Sequence, residues 1–321
     1  MLKKMLSFAL INLFTSSVLY ANDSTGYIAT GGVEYIKNPN ISMQKEDLFI
    51  SKQQIRVDYD FKNLTNRNIS ENVLFPLPKV GSSRESDFAH TEALIKSFKV
   101  RVNQKPIDFS IHVRAFLLPL NQKGELDWKK ASVDVTQELK KCGFSDQELM
   151  NPWTQKISEE LISQRIFQCK QPRVQKLLKP YHQGDTIYWE AQIIYSWQQL
   201  FRANSVTHVQ HQYQPLVGGS VYLDDEIAKD HCVNQSFKNA LDKTENPHPP
   251  YMGLSYIVKT GANWAKPIEN FNMIIERNKN ELVSLCWKGK IKKLNATQFK
   301  FSENNFMPSQ DINIIFVPLL R

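Results

Sequence analysis

The local signatures that announce a familiar chemistry are missing from this 321-residue chain. It has no G-x-S-x-G elbow, no H-E-x-x-H pair, no G-x-x-x-x-G-K-[ST] loop and no G-x-G-x-x-G fingerprint, so the local markers of α/β-hydrolases, zincins, P-loop enzymes and dinucleotide-binding folds are absent. Triads assembled from distant residues carry no such marker, so catalysis is made less expected and not excluded. Cysteine is sparse, at 142, 169, 232 and 286, and the four include no close pair of the kind that structural zinc sites normally contain. No internal repeat and no low-complexity tract is evident, which argues against solenoids and propellers. Beyond residue 21 no apolar run is long enough to span a bilayer as a helix. Nucleic-acid-binding motifs are absent as well, and nucleic acid is not an expected partner.

What is present begins with an export signal. Lys3 and Lys4 precede the apolar, uncharged stretch 5–20, and Ala21 supplies the small residue of a cleavage site, so 1–21 is expected to be removed and Asn22 to begin the mature chain. That stretch is shorter than the ~20 residues of a membrane span and is interrupted by Asn12, Thr15, Ser16 and Ser17, which disfavours an uncleaved anchor. The expected compartment is the periplasm or the medium. Forty basic against 32 acidic residues give a net charge of +8, which the loss of Lys3 and Lys4 lowers to +6. So mild a surplus suits an anionic envelope surface.

Hydrophobic periodicity is mostly that of strands. In 47–61, Leu48, Ile50, Ile55, Val57, Tyr59 and Phe61 recur with period two, and turn-forming residues 63–68 lead into 69–78, so 56–75 is expected to form a hairpin that Pro76 and Pro78 terminate. Strands are also expected at 94–102 and 107–118, joined through Asn103, Gln104 and Lys105, and at 186–197 and 206–213. Between them, about 129–180, the period changes. Asp134 precedes Gln137 by three, Ser145 precedes Glu148 by three, and Gly143 stands where a helix would stop, so a helical insertion is expected. Residues 216–242 read as a turn-rich crossing, and 246–321 as a further series of short strands. The expected fold is mainly β: two antiparallel β-sandwich units, 22–245 with its helical insertion and 246–321.

Several residues invite a functional reading. Lys170, Arg173, Lys176 and Lys179 recur every three residues without an intervening acid, a basic face suited to anionic lipid or an acidic partner. Asn263 and Trp264 follow Gly261 in the most distinctive local sequence, and an exposed Trp beside Asn could stack on a sugar or a peptide side chain. Burial of the Trp is the structural alternative and is favoured. His208 and His211 are the closest histidine pair, but on a strand residues three apart face opposite sides, so no metal site is expected there. For the cysteines, pairing within each unit is the economical choice: Cys142 with Cys169, and Cys232 with Cys286.

Three stretches carry a family resemblance. They are 22–48, with Asn22-Asp23-Ser24-Thr25, Gly31-Gly32-Val33 and Glu46-Asp47-Leu48, then Phe75-Pro76-Leu77-Pro78, and then Thr260-Gly261-Ala262-Asn263-Trp264 with Pro267-Ile268. In this order they resemble the bacterial family catalogued as domain of unknown function 4424. The resemblance implies an exported protein of unassigned activity and offers no catalytic residues to carry over. A weaker similarity links 61–78, Ser97-Phe98 and 102–107 to the vault and inter-alpha-trypsin sandwich domain, which implies protein interaction. The expected function is therefore a non-catalytic binding or assembly role in the cell envelope, with an envelope protein, a glycan or an anionic surface as partner and no cofactor. A hydrolase assembled from separated residues is the alternative.

Overall fold

The computed structural model describes residues 24–29, 32–82, 91–121, 123–127, 130–182, 184–244 and 249–319. The expected signal, 1–21, lies outside them. The described chain begins with β1 (Ser24–Ala29), β2 (Gly32–Ile36), β3 (Ile41–Ile50), β4 (Ile55–Asn63) and β5 (Ile69–Gly81), then helix α1 (Thr91–Ser97) and strands β6 (Lys99–Val102), β7 (Lys105–Pro106) and β8 (Ser110–Leu117). After β9 (Val133–Asp134) comes a run of short helices, α2 (Thr136–Lys141), α3 (Asp146–Leu149), α4 (Asn151–Thr154), α5 (Glu159–Gln168) and α6 (Pro172–Leu178). Strands β10 (Trp189–Phe201), β11 (Val206–Tyr213) and β12 (Gly218–Ser220) precede helices α7 (Asp225–Asp230) and α8 (Gln235–Leu241). The chain closes with β13 (Tyr251–Tyr256), a 3-10 turn (Lys259–Asn263), β14 (Ile268–Glu276), β15 (Glu281–Leu285), β16 (Lys290–Lys293), β17 (Gln298–Phe306) and β18 (Ile312–Pro318).

The fold is mainly β, and the described strands form three sheets. The six-stranded sheet has the order β2-β1-β5-β10-β8-β9, the eight-stranded sheet β16-β17-β14-β3-β4-β11-β6-β7, and the four-stranded sheet β12-β13-β18-β15. Strand β4 shows why. Its Ile55, Val57, Tyr59 and Phe61 are buried and the residues between them are not, so one face of the eight-stranded sheet is apolar. That face meets the six-stranded sheet: Phe61 packs on Phe201 at 6.0 Å, Phe75 on His211 at 4.9 Å, and Phe98 lies flat on Tyr195 at 3.8 Å. Burying each such ring contributes about 2–3 kcal/mol. The four-stranded sheet joins the same core through Tyr256, whose hydroxyl lies 3.1 Å from that of Tyr59 and donates to the fully buried Glu46 at 3.4 Å.

Several expectations are corrected. Strand β14 pairs in parallel with β3, so the strands are not all antiparallel, and the eight-stranded sheet crosses the division expected at 245/246. The parallel pair is the product of the long connection between these strands, since parallel neighbours need a crossover where antiparallel ones need only a turn. Residues 56–75 do not form a hairpin: β4 pairs with β3 and β11, while β5 belongs to the other sheet. Asn63 makes the corner. Its amide donates to the carbonyls of Arg67 (2.8 Å) and Phe201 (3.0 Å), and its Oδ1 accepts from the Thr65 amide (2.9 Å). The strand expected from residue 94 begins instead as α1, which buries Thr91 and Leu94 and is braced by the Glu92–Lys96 pair at 2.8 Å. The crossing at 216–242 contains α7 and α8, capped by Asp224 and Asn234, whose side chains accept from the amides of Ile227 and Phe237.

The insertion is helical and holds five short helices among the described residues, α2 to α6. Ser145 and Glu148 form the capping box of α3. Asp134 is not a cap; its Oδ1 accepts from the Thr136 amide at 3.0 Å and its Oδ2 is held by Arg114 at 2.6 Å. Cys142 and Cys169, at the ends of α2 and α5, are joined with Cα atoms 5.4 Å apart, and Cys232 is joined to Cys286 at 5.0 Å. The second bridge ties the segment after α7 to the residue following β15.

Candidate functional site

The site begins with two prolines that fail to end a strand. Strand β5 runs through Pro76 and Pro78 because it bulges there against β10: Gln192 pairs with Lys79 and Ile194 with Pro76, leaving Leu77 and Pro78 opposite the single residue Ile193. The side chain of Gln192 donates to the Leu77 carbonyl at 2.9 Å and recovers part of the lost ladder. Beyond the bulge Lys79 and Glu190 become diagonal neighbours on one face.

Lys79 is the centre of a compact polar group. Its Nζ donates to the Ser132 hydroxyl at 2.6 Å and lies 3.5 Å from the Glu190 carboxylate, while Ser132 donates to Glu190 at 2.6 Å. The ammonium also sits 3.7 Å from the centre of the Phe116 ring, a cation–π contact, and the Arg114 guanidinium, paired with Asp134, lies 4.9 Å from the same ring. Burial lowers the Lys79 pKa from its ordinary value, against the opposing pull of Glu190. Only 14 % of the Lys79 side chain and 18 % of Glu190 is exposed, so their attraction is poorly screened by water.

This group lines a cleft of about 750 Å³ between the six-stranded and four-stranded sheets. The facing wall includes Gly218, Gly219, Gly253 and Ser255, so bare backbone approaches the cleft where side chains would fill it. A side chain at Gly219 would collide with the Tyr251 carbonyl, whereas a Cβ at Gly253 meets nothing closer than 3.8 Å. His231 and Asp311 add titratable groups to the lining. The His231 Nδ1 lies 2.8 Å from the Ile227 carbonyl and donates to it, which leaves Nε2 as the acceptor of the neutral ring. Asp311 accepts from the amides of Val258 (3.2 Å) and Lys259 (3.4 Å), and burial raises its pKa. Among the described residues no group of three or more His, Cys, Asp and Glu is arranged to hold a metal ion.

The residues singled out by sequence lie elsewhere. Lys170 and Lys179 border a second cavity of about 760 Å³, together with Glu160 and Asp185, but Arg173 turns to Glu138 at 3.4 Å and Lys176 is exposed. Arg173 and Lys176 lie within, and Lys170 and Lys179 to either side of, a helix of only seven residues that buries Val174 and Leu178. Trp264 is buried, 4.6 Å from Phe61, so its ring offers no exposed platform. Asn263 donates to the Ser24 hydroxyl at 3.1 Å, and its carbonyl accepts from Asn38 at 2.7 Å. Of the histidine pair, His211 is fully buried and His208 is exposed beside Asp60, on opposite faces of β11. Asp224 to Glu226 cap and open α7. Lys79, Ser132 and Glu190 escaped the sequence pattern. The one available signal was a lysine directly after a proline-broken strand.

Two solved structures are similar in outline. A Legionella pneumophila protein described as a candidate nutrient-binding protein is 13 % identical with a TM-score of 0.44, over 92 % of this chain and 70 % of that one. Yeast LTA4 hydrolase is 9 % identical with a TM-score of 0.29, over 89 % of this chain and 31 % of that one. At these values neither likeness bears on function. No curated protein matches the chain. The sequence profile of the family described as a domain of unknown function, DUF4424, matches residues 21–315. Spanning most of the 321 residues, that match establishes that the chain belongs to the DUF4424 family.

Proposed function

We propose that the mature chain is an exported, non-catalytic binding or assembly protein of the bacterial cell envelope, and that the cleft beside Lys79 receives a small polar ligand. One observation carries this: an ammonium, a carboxylate and a hydroxyl are fixed within hydrogen-bonding reach of one another in the wall of a cleft of about 750 Å³. Preorganised groups of both signs in a poorly hydrated wall favour ligands that themselves carry both signs, such as amino acids and short peptides. Export is supported by the signal-like 1–21 and by two joined cysteine pairs, which persist in oxidising compartments. The similarity of 61–78 to the vault and inter-alpha-trypsin domain adds an associational argument for assembly with other proteins. Thermal-shift screening with amino acids, dicarboxylates and short peptides tests the ligand class. Some zwitterionic probes are expected to raise the Tm of the wild type and not of Lys79→Met; dicarboxylates alone doing so would overturn the assignment.

A hydrolase is the second reading, and Ser132 favours it. Its Oγ lies 2.6 Å from both Lys79 and Glu190, an arrangement that activates a hydroxyl. A fluorophosphonate probe separates the two. Binding alone leaves Ser132 unlabelled, and stoichiometric labelling that is lost in Ser132→Ala would establish the hydrolase.

A further inference from the structure

The chain's basic surplus gathers where the sequence pattern drew no attention. Residues 288–300 hold five lysines, Lys288, Lys290, Lys292, Lys293 and Lys300, and no acid. They lie on and beside the β16–β17 hairpin, whose β16 is the edge of the eight-stranded sheet and is exposed at all four of its residues. Register places Lys292 opposite Lys300 and Lys290 opposite Ser302, so Lys290, Lys292 and Lys300 share a face. Like charges directly opposite one another destabilise a strand pair. Among the described residues none of the five takes part in an ion pair that would offset this.

Two aliphatic side chains are exposed along the same edge. Leu294, 41 % exposed and directly after β16, follows Lys290 and Lys292 in period two, and Ile291, 57 % exposed, projects from the strand's other side. A surface meeting the edge therefore reaches both. The hairpin that presents them is firmly held. Asn295 Oδ1 accepts from the amides of Thr297 and Gln298, both at 2.9 Å, and Trp287 packs on Phe271 at 5.7 Å and on Phe301 at 5.8 Å behind the strands. Lysines on an edge strand also discourage edge-to-edge pairing. That role explains neither five charges nor the protruding Ile291 and Leu294.

We propose that this hairpin docks on the anionic phospholipid surface of a membrane. The lysines reach the lipid phosphates through their flexible stems while Ile291 and Leu294 enter the headgroup layer. The surface supplies the negative charge that the folded chain leaves unprovided, and it makes use of the aliphatic pair, which an acidic polypeptide would not require. This docking is independent of the ligand cleft.

Co-sedimentation of the mature chain with vesicles tests it, using phosphatidylglycerol mixed into phosphatidylcholine and phosphatidylcholine alone. Binding is expected only to the mixed vesicles and is expected to weaken with added salt. Each lysine removed is expected to lower the partition coefficient about fivefold, so Lys288→Gln, Lys290→Gln, Lys292→Gln and Lys293→Gln together lower it roughly six-hundredfold. Ile291→Ser with Leu294→Ser is expected to weaken binding without changing its salt dependence. Glutamine at Lys170, Arg173, Lys176 and Lys179 is expected to leave binding unchanged. The proposal is overturned if that second quadruple variant loses binding and the hairpin variant does not, if neutral vesicles bind equally well, or if polyglutamate is bound while vesicles are not.

Discussion

Lys79 and the hairpin lysines are the same residue in opposite surroundings. Lys79 is enclosed by Phe116, Ser132 and Glu190, whereas Lys290 and Lys292 face solvent with no ion-pair partner among the described residues. An enclosed charge acts at short range, is costly to unpair and is nearly indifferent to salt; an exposed one costs little to remove, acts over about a Debye length and is screened. The difference teaches that enclosure, not residue type, decides whether a basic side chain builds a selective site or a docking surface.

The largest effect expected from enclosure is at Trp264, where Trp264→Ala is expected to lose about 3–5 kcal/mol in urea unfolding. Its ring is buried against Phe61 and Phe201, so a loss near zero would contradict the packing. Next comes the Lys79–Glu190 pair. Lys79→Met is expected to cost about 1–3 kcal/mol by leaving a buried carboxylate without its charge partner, and adding Glu190→Met is expected to recover much of it. Additive losses in that cycle would mean that the two side chains are not coupled.

Acid sharpens the comparison further. Burial lowers the pKa of His112, whose Nε2 lies 2.8 Å from the Ser196 hydroxyl, below its ordinary value of 6.5. The unfolded chain therefore binds a proton more readily than the folded one, so stability falls as pH drops through 6.5 towards the folded-state pKa. His112→Gln is expected to flatten that part of a Tm-against-pH profile, and an unchanged slope would remove His112 as its cause. The smallest effect belongs to the hairpin. Replacing its four lysines at 288, 290, 292 and 293 by Gln is expected to change unfolding free energy by no more than about 0.5 kcal/mol, with relief of the Lys292–Lys300 repulsion the favourable part.

The mainly β architecture was legible because strands with one wet face announce themselves: Ile55, Val57, Tyr59 and Phe61 alternate in sequence and are buried in the fold. Local pairing of the cysteines was legible for a similar reason, since Cys142 and Cys169 bracket one helical segment. Pairing partners were not. Whether β4 turns back on β5 or hands the chain to another sheet depends on Asn63 reaching Phe201, which is 138 positions away. Helix α1 was misread because Leu94, Ile95, Phe98 and Val100 satisfy a strand pattern as readily as a helical one. The candidate site was least legible of all. Ser132 lies 53 positions from Lys79 and 58 from Glu190, and the prolines that suggested the end of β5 instead mark the bulge that aims Lys79 into the cleft.

The central claim, that the cleft itself takes the ligand, is tested most directly from its far wall. Gly253 has room for a Cβ and lies across the cleft from Lys79 without touching the polar group, so Gly253→Val fills the space while leaving Lys79, Ser132 and Glu190 in place. Isothermal titration of wild type and Gly253→Val with the zwitterionic probe that most stabilises the wild type reads the answer. The account predicts at least a tenfold loss of affinity, about 1.4 kcal/mol, in a variant whose Tm without ligand is unchanged. Equal affinities would contradict it and place the ligand elsewhere on the molecule.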